Sequence, residues 1–407
     1  MRRVVVTGYG LVSSLGNDVP TALERLKILE NTVRVSDDLS SYKGLQSHLC
    51  APADGFVKPA HYTRKVIRTM GRVSILALNA TEQALEQAGL MGSPELKNGR
   101  TGVAYGSSSG SVDAIADFYT VVSVREVKNV TSSTYLKMMP QTTAVNLSVH
   151  FGTTGRLIPT GTACTSGSLA IGSAYEAIAY GMQDIMIAGG AEEFSPTQVA
   201  VFDTLFATSR RNDEPLLTPR AFDCARDGLV IGEGAGTMIL EEREHALARG
   251  ATILCEIVGY GTNTDGRHVT QPNHKTMGQA MQLALDSAGL PATAVGYVNA
   301  HGTATELGDV AEGTAMATVY GPSVPVSTLK NYIGHTLGAC GALEAILSVE
   351  MMRHGWFAPN LNLEHPDSAC GEHDFIMGTG RTIETDCVVS NNFAFGGVNT
   401  SLIFGRE

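Results

Sequence analysis

The sequence predicts a layered α/β protein made of two related halves. Short apolar strand segments with Gly-rich exits alternate with helical segments rich in Ala, Leu and Gln. Three short motifs recur in the same order in the two halves of the chain, as duplication of one βα unit would produce. A length of 407 residues also exceeds what one small domain needs.

Val4–Thr7, Val103–Tyr105, Asp184–Ala188, Ile253–Val258, Tyr297–Ala300 and Val388–Ser390 read as strands, several of them apolar enough to be buried on both faces. Met70–Gln87, Met277–Ala288 and Ala339–Met352 read as helices. In the first echo, Thr7-Gly8-Tyr9-Gly10 returns as Val258-Gly259-Tyr260-Gly261. In the second, the run from Ala84 to Leu90 returns from Ala284 to Leu290. The third matches the segment around Cys164, with the helix after it, to Ile333-Gly334-His335-Thr336-Leu337-Gly338 and the helix that follows. Gly8 and Ala84 are 76 positions apart (84 − 8), Gly259 and Ala284 only 25 (284 − 259). The first half, 1–250, therefore carries an insertion within 20–70 and a second around 110–145, while 251–407 is the leaner half.

Composition narrows the function. With 43% hydrophobic and 17% charged residues and a mean hydropathy near zero, the chain reads as compact and soluble. No window approaches the apolar length of a membrane span. The segment Met1–Gly8 is too short in its apolar run for a signal peptide and reads as the first strand. Seven scattered cysteines, without a C-x-x-C pair, point to reduced thiols and a cytoplasmic setting. A formal charge of −11 argues against nucleic acid, and an acidic partner would have to dock on a local basic patch.

Cys164 is the candidate nucleophile. It lies in Gly161-Thr162-Ala163-Cys164-Thr165-Ser166-Gly167-Ser168, between the apolar Leu157-Ile158-Pro159 and a small-residue helix, Leu169–Tyr180, which Gly181 can stop. A cysteine in the first turn of a helix meets unpaired N–H groups and the positive end of the dipole, one route to a thiolate. Taken alone it reads as an inert buried thiol, the commoner state of a free cysteine, and the rest of the chain is what reverses that. His301 follows a strand and is flanked by Gly302, Thr303 and Thr305, a loop suited to presenting a ring. His335 occupies the stretch that echoes Cys164, so a pseudo-twofold relation between the halves would bring it to the cysteine. Asn391–Asn399 is a Gly-rich strand exit whose N–H groups could join that of Cys164 in holding a thioester oxygen; blandly, it is a tight turn.

Together these motifs resemble the condensing enzymes of the thiolase superfamily, specifically the elongating β-ketoacyl-carrier-protein synthases, over the whole chain. The matches are T-A-C-T-S-G around Cys164, H-G-T-x-T from His301 to Thr305, K-x-x-x-G-H from Lys330 to His335, and F-x-F-G-G from Phe393 to Gly397, in the family's order. The resemblance implies a thiolase fold and no cofactor. Cys164 would take an acyl group from a carrier protein, and His301 and His335 would stabilise the enolate formed as malonyl-carrier protein loses carbon dioxide. Lys330, paired with Glu344, would set the local field, with Thr303 and Thr305 in support. Phe395 would gate the acyl pocket and lend its N–H to the oxyanion hole. Ser109 would line the pocket. Arg64, Lys65 and Arg68, heading a helix, would dock the acidic carrier, with Arg210 and Arg211 extending that face. His268, in a loop opposite Phe395, is not expected to be catalytic.

A Cys/His/His metal site is the rival use of the three central side chains, but short-spaced ligand pairs are absent from the sequence. A thiolase or initiating synthase using coenzyme A thioesters would carry Cys-His-Cys or Cys-His-Asn instead. A chain-length factor, the inactive partner in a polyketide heterodimer, would lack Cys164. The active half of such a heterodimer stays open beside a homodimer. Leu329 where housekeeping synthases usually have Thr, Ala394 where they have Gly, and Pro159 before the nucleophile resemble the aryl-polyene type of ketosynthase.

Overall fold

The computed structural model describes residues 1–128 and 130–407. Eleven strands share one sheet: β1 Val4–Ser13, β2 Thr101–Gly106, β3 Leu157–Thr160, β4 Ile185–Glu192, β5 Gly234–Glu242, β6 Cys255–Thr264, β7 Tyr297–Asn299, β8 Pro325–Ser327, β9 Asp374–Phe375, β10 Cys387–Phe393 and β11 Val398–Gly405. The ten longer helices are α1 Val19–Lys27, α2 Arg72–Gln87, α3 Val112–Ser123, α4 Ser132–Met138, α5 Thr142–Phe151, α6 Ser166–Ala179, α7 Pro196–Thr204, α8 His274–Ala288, α9 Glu306–Tyr320 and α10 Cys340–His354.

Strand order states the duplication directly. Outward from the centre the first half runs β1-β5-β4-β2-β3, and the second runs β6-β11-β10-β7-β8, with β9 added at its edge. In each half the order is thus first, fifth, fourth, second, third. The halves join where β1 and β6 pair antiparallel, Val4 with Ile257, Val5 with Glu256 and Val6 with Cys255. Helices α6 and α10 each touch strands of both halves and form the central layer, whereas α2 and α8 cover outer faces. Every residue of α10 from Cys340 to Met352 is buried, so this helix has no polar face, as a helix enclosed on all sides should not.

The echoed glycines have a packing cause. A Cβ on Gly8 would stand 2.2 Å from the carbonyl oxygen of Ala84, and one on Gly10 2.3 Å from that of Ala80. In the other half the distances are 2.4 Å from Gly259 to Ala284 and 2.1 Å from Gly261 to Ala280. Bare backbone in β1 and β6 is what lets α2 and α8 lie directly on the sheet. The Gly-x-Gly and Ala motifs recur together because each is the other's contact surface.

Some boundaries differ from expectation. The helix expected from Met70 starts at Arg72, because Gly71 is extended. Arg64, Lys65 and Arg68 consequently occupy turns before the helix rather than its first positions. The strand expected from Ile253 starts at Cys255 and runs to Thr264. The stretch 20–70 holds most of α1 and two strands of a small side sheet, and 110–145 holds α3 and α4. Strand β3 pairs only with β2, and at such an edge the missing donor of Pro159 is tolerated. Among the described residues no helix is long and apolar enough to cross a membrane.

Replacing Gly10 or Gly261 by Ala should lower the denaturation midpoint by an amount equivalent to about 1–3 kcal/mol, the usual cost of overpacking. Gly55→Ala, whose added Cβ would meet only Asn17 at 3.8 Å, should leave it in place. Equal midpoints for all three in a urea titration would contradict the close-approach account.

Candidate active site

Strand β3 delivers the chain into a left-handed Ala163 (φ 50°), one 3₁₀ turn over Ala163–Thr165, and then α6. The turn is pinned locally: the Thr162 N–H donates to Ser166 Oγ at 2.9 Å, and that hydroxyl donates to the Ala163 carbonyl at 2.7 Å. Cys164 sits on this elbow, buried, with its Sγ 3.0 Å from His335 Nε2. The backbone N–H of Phe395 is near enough to the same sulfur to favour its anion. In the Phe395 loop the N–H groups of Ala394, Gly396 and Gly397 are already bonded to Val398, Val269 and Ala394 carbonyls. Phe395 is the donor left over for the site.

The second elbow has the same shape, with Leu337 left-handed (φ 46°) and a 3₁₀ turn over Leu337–Ala339 before α10. This corrects the alignment of the third echo. Ala163 corresponds to Leu337, so Gly338 is the counterpart of Cys164, and His335 stands three residues earlier. The ring reaches the sulfur across the joint between the halves from that upstream position. A side chain at 338 is barred, since a Cβ there would stand 2.7 Å from Glu192 Oε2 and from the Ser108 nitrogen.

Hydrogen-bond logic assigns both histidine tautomers. His335 Nδ1 accepts from the Leu337 N–H at 3.2 Å, so its hydrogen rides on Nε2, toward Cys164. His301 Nδ1 lies 3.1 Å from the Lys330 ammonium, which can only donate, so its hydrogen is on Nε2 as well. The two rings are 5.2 Å apart and nearly perpendicular. Lys330 in turn is bonded to Glu344, which accepts the Asn392 amide at 2.7 Å. The backbone N–H groups of His301 and Gly302 donate to the two oxygens of Glu312, each at 2.7 Å.

Burial dominates the electrostatics. It drives both imidazoles well below their ordinary range, and the Lys330 charge pushes the same way, so both rings are neutral. Burial likewise opposes the Lys330 charge, but Glu344 at its Nζ outweighs it and keeps the ammonium. For Cys164 burial raises the thiol to about 12, against the lowering pull of Lys330 and of the Phe395 N–H. The helix-start environment therefore does not make a resting thiolate, contrary to the route expected from sequence.

The donor atoms of Cys164, His301 and His335 lie within 4.8 Å of one another, as do those of His301, Cys340 and Glu344. A metal at the first set would need both Nε2 lone pairs, forcing the ring hydrogens onto Nδ1 against the Lys330 ammonium and the Leu337 N–H. At the second set, Lys330 already supplies the cation between Glu344 and His301. The donor set suits N–H donation better than metal ligation.

A cavity of about 400 Å³ leads from Cys164, His301, His335, Thr303 and Thr305 outward past Phe202, Phe206 and Val269. Thr303 and Thr305 share a hydroxyl–hydroxyl bond of 2.9 Å. Phe395 packs on Phe202 with ring centres 5.2 Å apart. Its loop is tied to the 265–269 loop, Gly396 N–H to the Val269 carbonyl at 2.7 Å and Asp265 N–H to that of Gly397 at 2.8 Å. His268 is exposed and accepts from its own loop, at the N–H groups of Thr270 and Gln271.

Ser109 does not line this cavity. Its hydroxyl bonds to Glu192 at 3.1 Å and receives the Gln198 amide at 3.2 Å, because a buried carboxylate behind the elbow competes for it. Glu192 also accepts the N–H of Ser108 at 2.7 Å and that of Gly338 at 3.0 Å, tying the turn after β2 to the second elbow. Arg64, Lys65 and Arg68 are exposed and form no ion pair among the described residues. Arg210 lies 3.8 Å from Asp203, and Arg211 turns to Asp227 at 3.4 Å. Glu192, Glu312 and Asn392 escaped the sequence reading. Asn392 was in view within the Asn391–Asn399 stretch, but nothing in the spacing of the two glutamates sets them apart from surface acids.

A buried thiol facing two N–H-bearing imidazoles, on a duplicated five-strand unit, defines a condensing enzyme of the thiolase fold. Residues 1–246 match the N-terminal domain of beta-ketoacyl synthase and residues 254–364 its C-terminal domain. A 3-oxoacyl-[acyl-carrier-protein] synthase 2 from Vibrio cholerae is 38% identical over 413 residues, covering 100% of this chain and 99% of that one. A crystal structure of a beta-ketoacyl synthase from Burkholderia phymatum superposes with a TM-score of 0.98 at 56% identity, covering both chains fully. The ishigamide ketosynthase/chain length factor gives 0.90 at 28% identity, over 100% of this chain and 99% of that one. The chain belongs to the β-ketoacyl synthase family.

Alkylation of Cys164 by iodoacetamide, followed by mass spectrometry, tests the neutral resting site. The rate should climb through and above about pH 9, as for a thiol raised by burial. A plateau reached after an inflection near about pH 6.5 would instead reveal an imidazolium–thiolate pair.

Proposed function

We propose that this protein is a β-ketoacyl-carrier-protein synthase that elongates an acyl chain by decarboxylative condensation. The observation that carries this reading is the pair of Nε2–H groups, held in that tautomer from behind and converging on Cys164. In the first step the Cys164 sulfur bonds to the acyl carbon of a carrier thioester, the carrier's C–S bond breaks, and the carrier leaves as a thiol with the proton Cys164 gives up. The N–H groups of Cys164 and Phe395 hold the oxyanion. In the second, malonyl-carrier protein loses carbon dioxide, and His301 and His335 donate to the enolate oxygen. Neutral imidazoles suit this role because their N–H is too weak an acid to protonate the carbanion. The carbanion then bonds to the acyl carbon, the bond to Cys164 breaks, and the sulfur regains a proton. Lys330 and Glu344 position His301, and Thr303 and Thr305 border the malonyl side of the cavity.

The carrier is acidic in this reading, and Arg64, Lys65, Arg68 and Arg210 supply the docking charge. Free thiols throughout, with Cys224 exposed, fit a reducing, cytoplasmic compartment. The unpaired edge of β3, together with apolar residues left exposed on α3 such as Phe118, Tyr119 and Val122, supports a dimer formed across that edge. The intact Cys-His-His set makes this chain the active subunit, whether its partner is a copy or a chain-length-factor homologue. Ala394 and Leu329 favour a conjugated polyenoyl chain over a saturated one. Ala394 narrows the backbone freedom of the Phe395 loop relative to glycine.

Intact-mass measurements test the reaction. Incubation with octanoyl- or polyenoyl-carrier protein should add the acyl mass to the wild type and nothing to Cys164→Ala. Malonyl-carrier protein should then remove the adduct and release a β-ketoacyl product two carbons longer. The donor that loads fastest separates the saturated from the polyene reading, and failure of every donor would overturn the proposal for the isolated chain.

A further inference from the structure

Helix α7 ends in a Schellman turn, in which the Phe206 N–H donates to the Asp203 carbonyl and the Ala207 N–H to that of Phe202, both at 3.0 Å. The first residue past the cap in such a turn is left-handed, a conformation that glycine adopts without steric cost. Among the described residues six other helix ends use a left-handed glycine: Gly89, Gly152, Gly181, Gly250, Gly289 and Gly355. Helix α7 places Phe206 in that position, at φ 56°. Leu29 and Arg125 also end helices left-handed, but neither lines the catalytic cavity.

The strain is not offset by burying the ring, since Phe206 is 79% exposed. It lines the cavity that contains Cys164, as do two other exposed apolar residues, Val269 (69% exposed) and Leu307 (61%). The Arg210 guanidinium lies 5.3 Å from the ring centre, fixing the ring's pose and placing a cation at the rim. A bulky residue kept in an unfavourable backbone conformation, exposed at the entrance to a reactive thiol, is held there for what it will touch.

We propose that Phe206 is a binding residue for the carrier-bound thioester, packing against the outer part of the arm on which the acyl group enters. This rests on the reading of the chain as a synthase fed by a carrier protein. The occupant follows from the cavity, which reaches Cys164 and its two histidines, and from the cation at the rim, which matches an anionic carrier. Val269 and Leu307 complete an apolar collar around the entering arm.

The test compares wild type, Phe206→Gly and Phe206→Trp on two donors bearing the same acyl group, the carrier protein thioester and the small N-acetylcysteamine thioester. Phe206→Gly puts the residue natural to the turn in place, so its Tm should equal or exceed that of wild type. Its kcat/KM on the carrier donor should fall about tenfold, through KM, while the small donor stays within about twofold. Phe206→Trp should restore the carrier donor to within about threefold of wild type. Unchanged kcat/KM of Phe206→Gly on the carrier donor, equal loss on both donors, or a lowered Tm would each overturn the assignment, the last two by showing a structural role. Failure of the wild type to load Cys164 from any carrier donor would overturn the synthase reading itself, and the assignment with it.

Discussion

A single buried ammonium organises the site. Lys330 is enclosed in the protein, at a cost of several kcal/mol in lost hydration that only a close counter-charge and full hydrogen bonding can offset. Glu344 supplies the charge, and the amide of Asn392 satisfies the other carboxylate oxygen. A second of the ammonium's three N–H donors is aimed at His301 Nδ1. From that one contact follow the tautomer of His301, the direction of its Nε2–H, its neutrality, and the exclusion of a metal from the same space. His335 reaches the same tautomer by a cheaper device, a backbone N–H two residues along the chain. The two imidazoles are thus chemically alike but differently enforced, one by a charge and one by an elbow.

The elbows depend on carboxylates that do no chemistry. Glu192 gathers N–H groups from both sides of the joint, and Glu312 holds the backbone of the His301 loop by two matched bonds. Each is a buried acid whose cost is met by backbone donors that a tight loop would otherwise leave unpaired. The loops can therefore be short, Gly-rich and still rigid. Rigid donors need no reorganisation when charge develops on a substrate oxygen, and this is the main physical advantage of such a site over solvent.

Much of this was legible in the residues. The four motifs bring Cys164, His301, His335 and Phe395 forward because each sits beside glycine or threonine, with Lys330 carried along in K-x-x-x-G-H, and the structure gathers them around one sulfur. The duplication was legible because packing imposes it: Gly-x-Gly on one surface requires Ala on the other, and both leave a mark in the sequence. What stayed hidden depends on the third dimension. Ser109 was placed in the pocket by family resemblance, but Glu192, more than eighty positions away, captures its hydroxyl. The thiolate was read from the helix start, yet desolvation by the surrounding walls is the stronger effect and cannot be seen along the chain. His335 was matched to Cys164 although it stands three residues before the true counterpart, Gly338, since sequence similarity cannot tell which residue takes the left-handed turn.

The pairing of β1 has a consequence for how the chain comes into being. Its hydrogen-bonding partners are Gly234–Glu242 on one side and Cys255–Ile257 on the other. Strand β1 is therefore synthesised about 220 residues ahead of the strands that cover its edges. Throughout that interval a run of apolar residues, Val4-Val5-Val6 foremost, is synthesised but unpaired, the state in which nascent chains aggregate or are held by chaperones. Among the described residues β1 and β6 form the strand pairing that joins the halves, along the seam where Cys164 meets His335. Neither duplicated unit can ripen alone: a ribosome that stalls before Cys255 leaves a half with a thiol and no histidines to serve it.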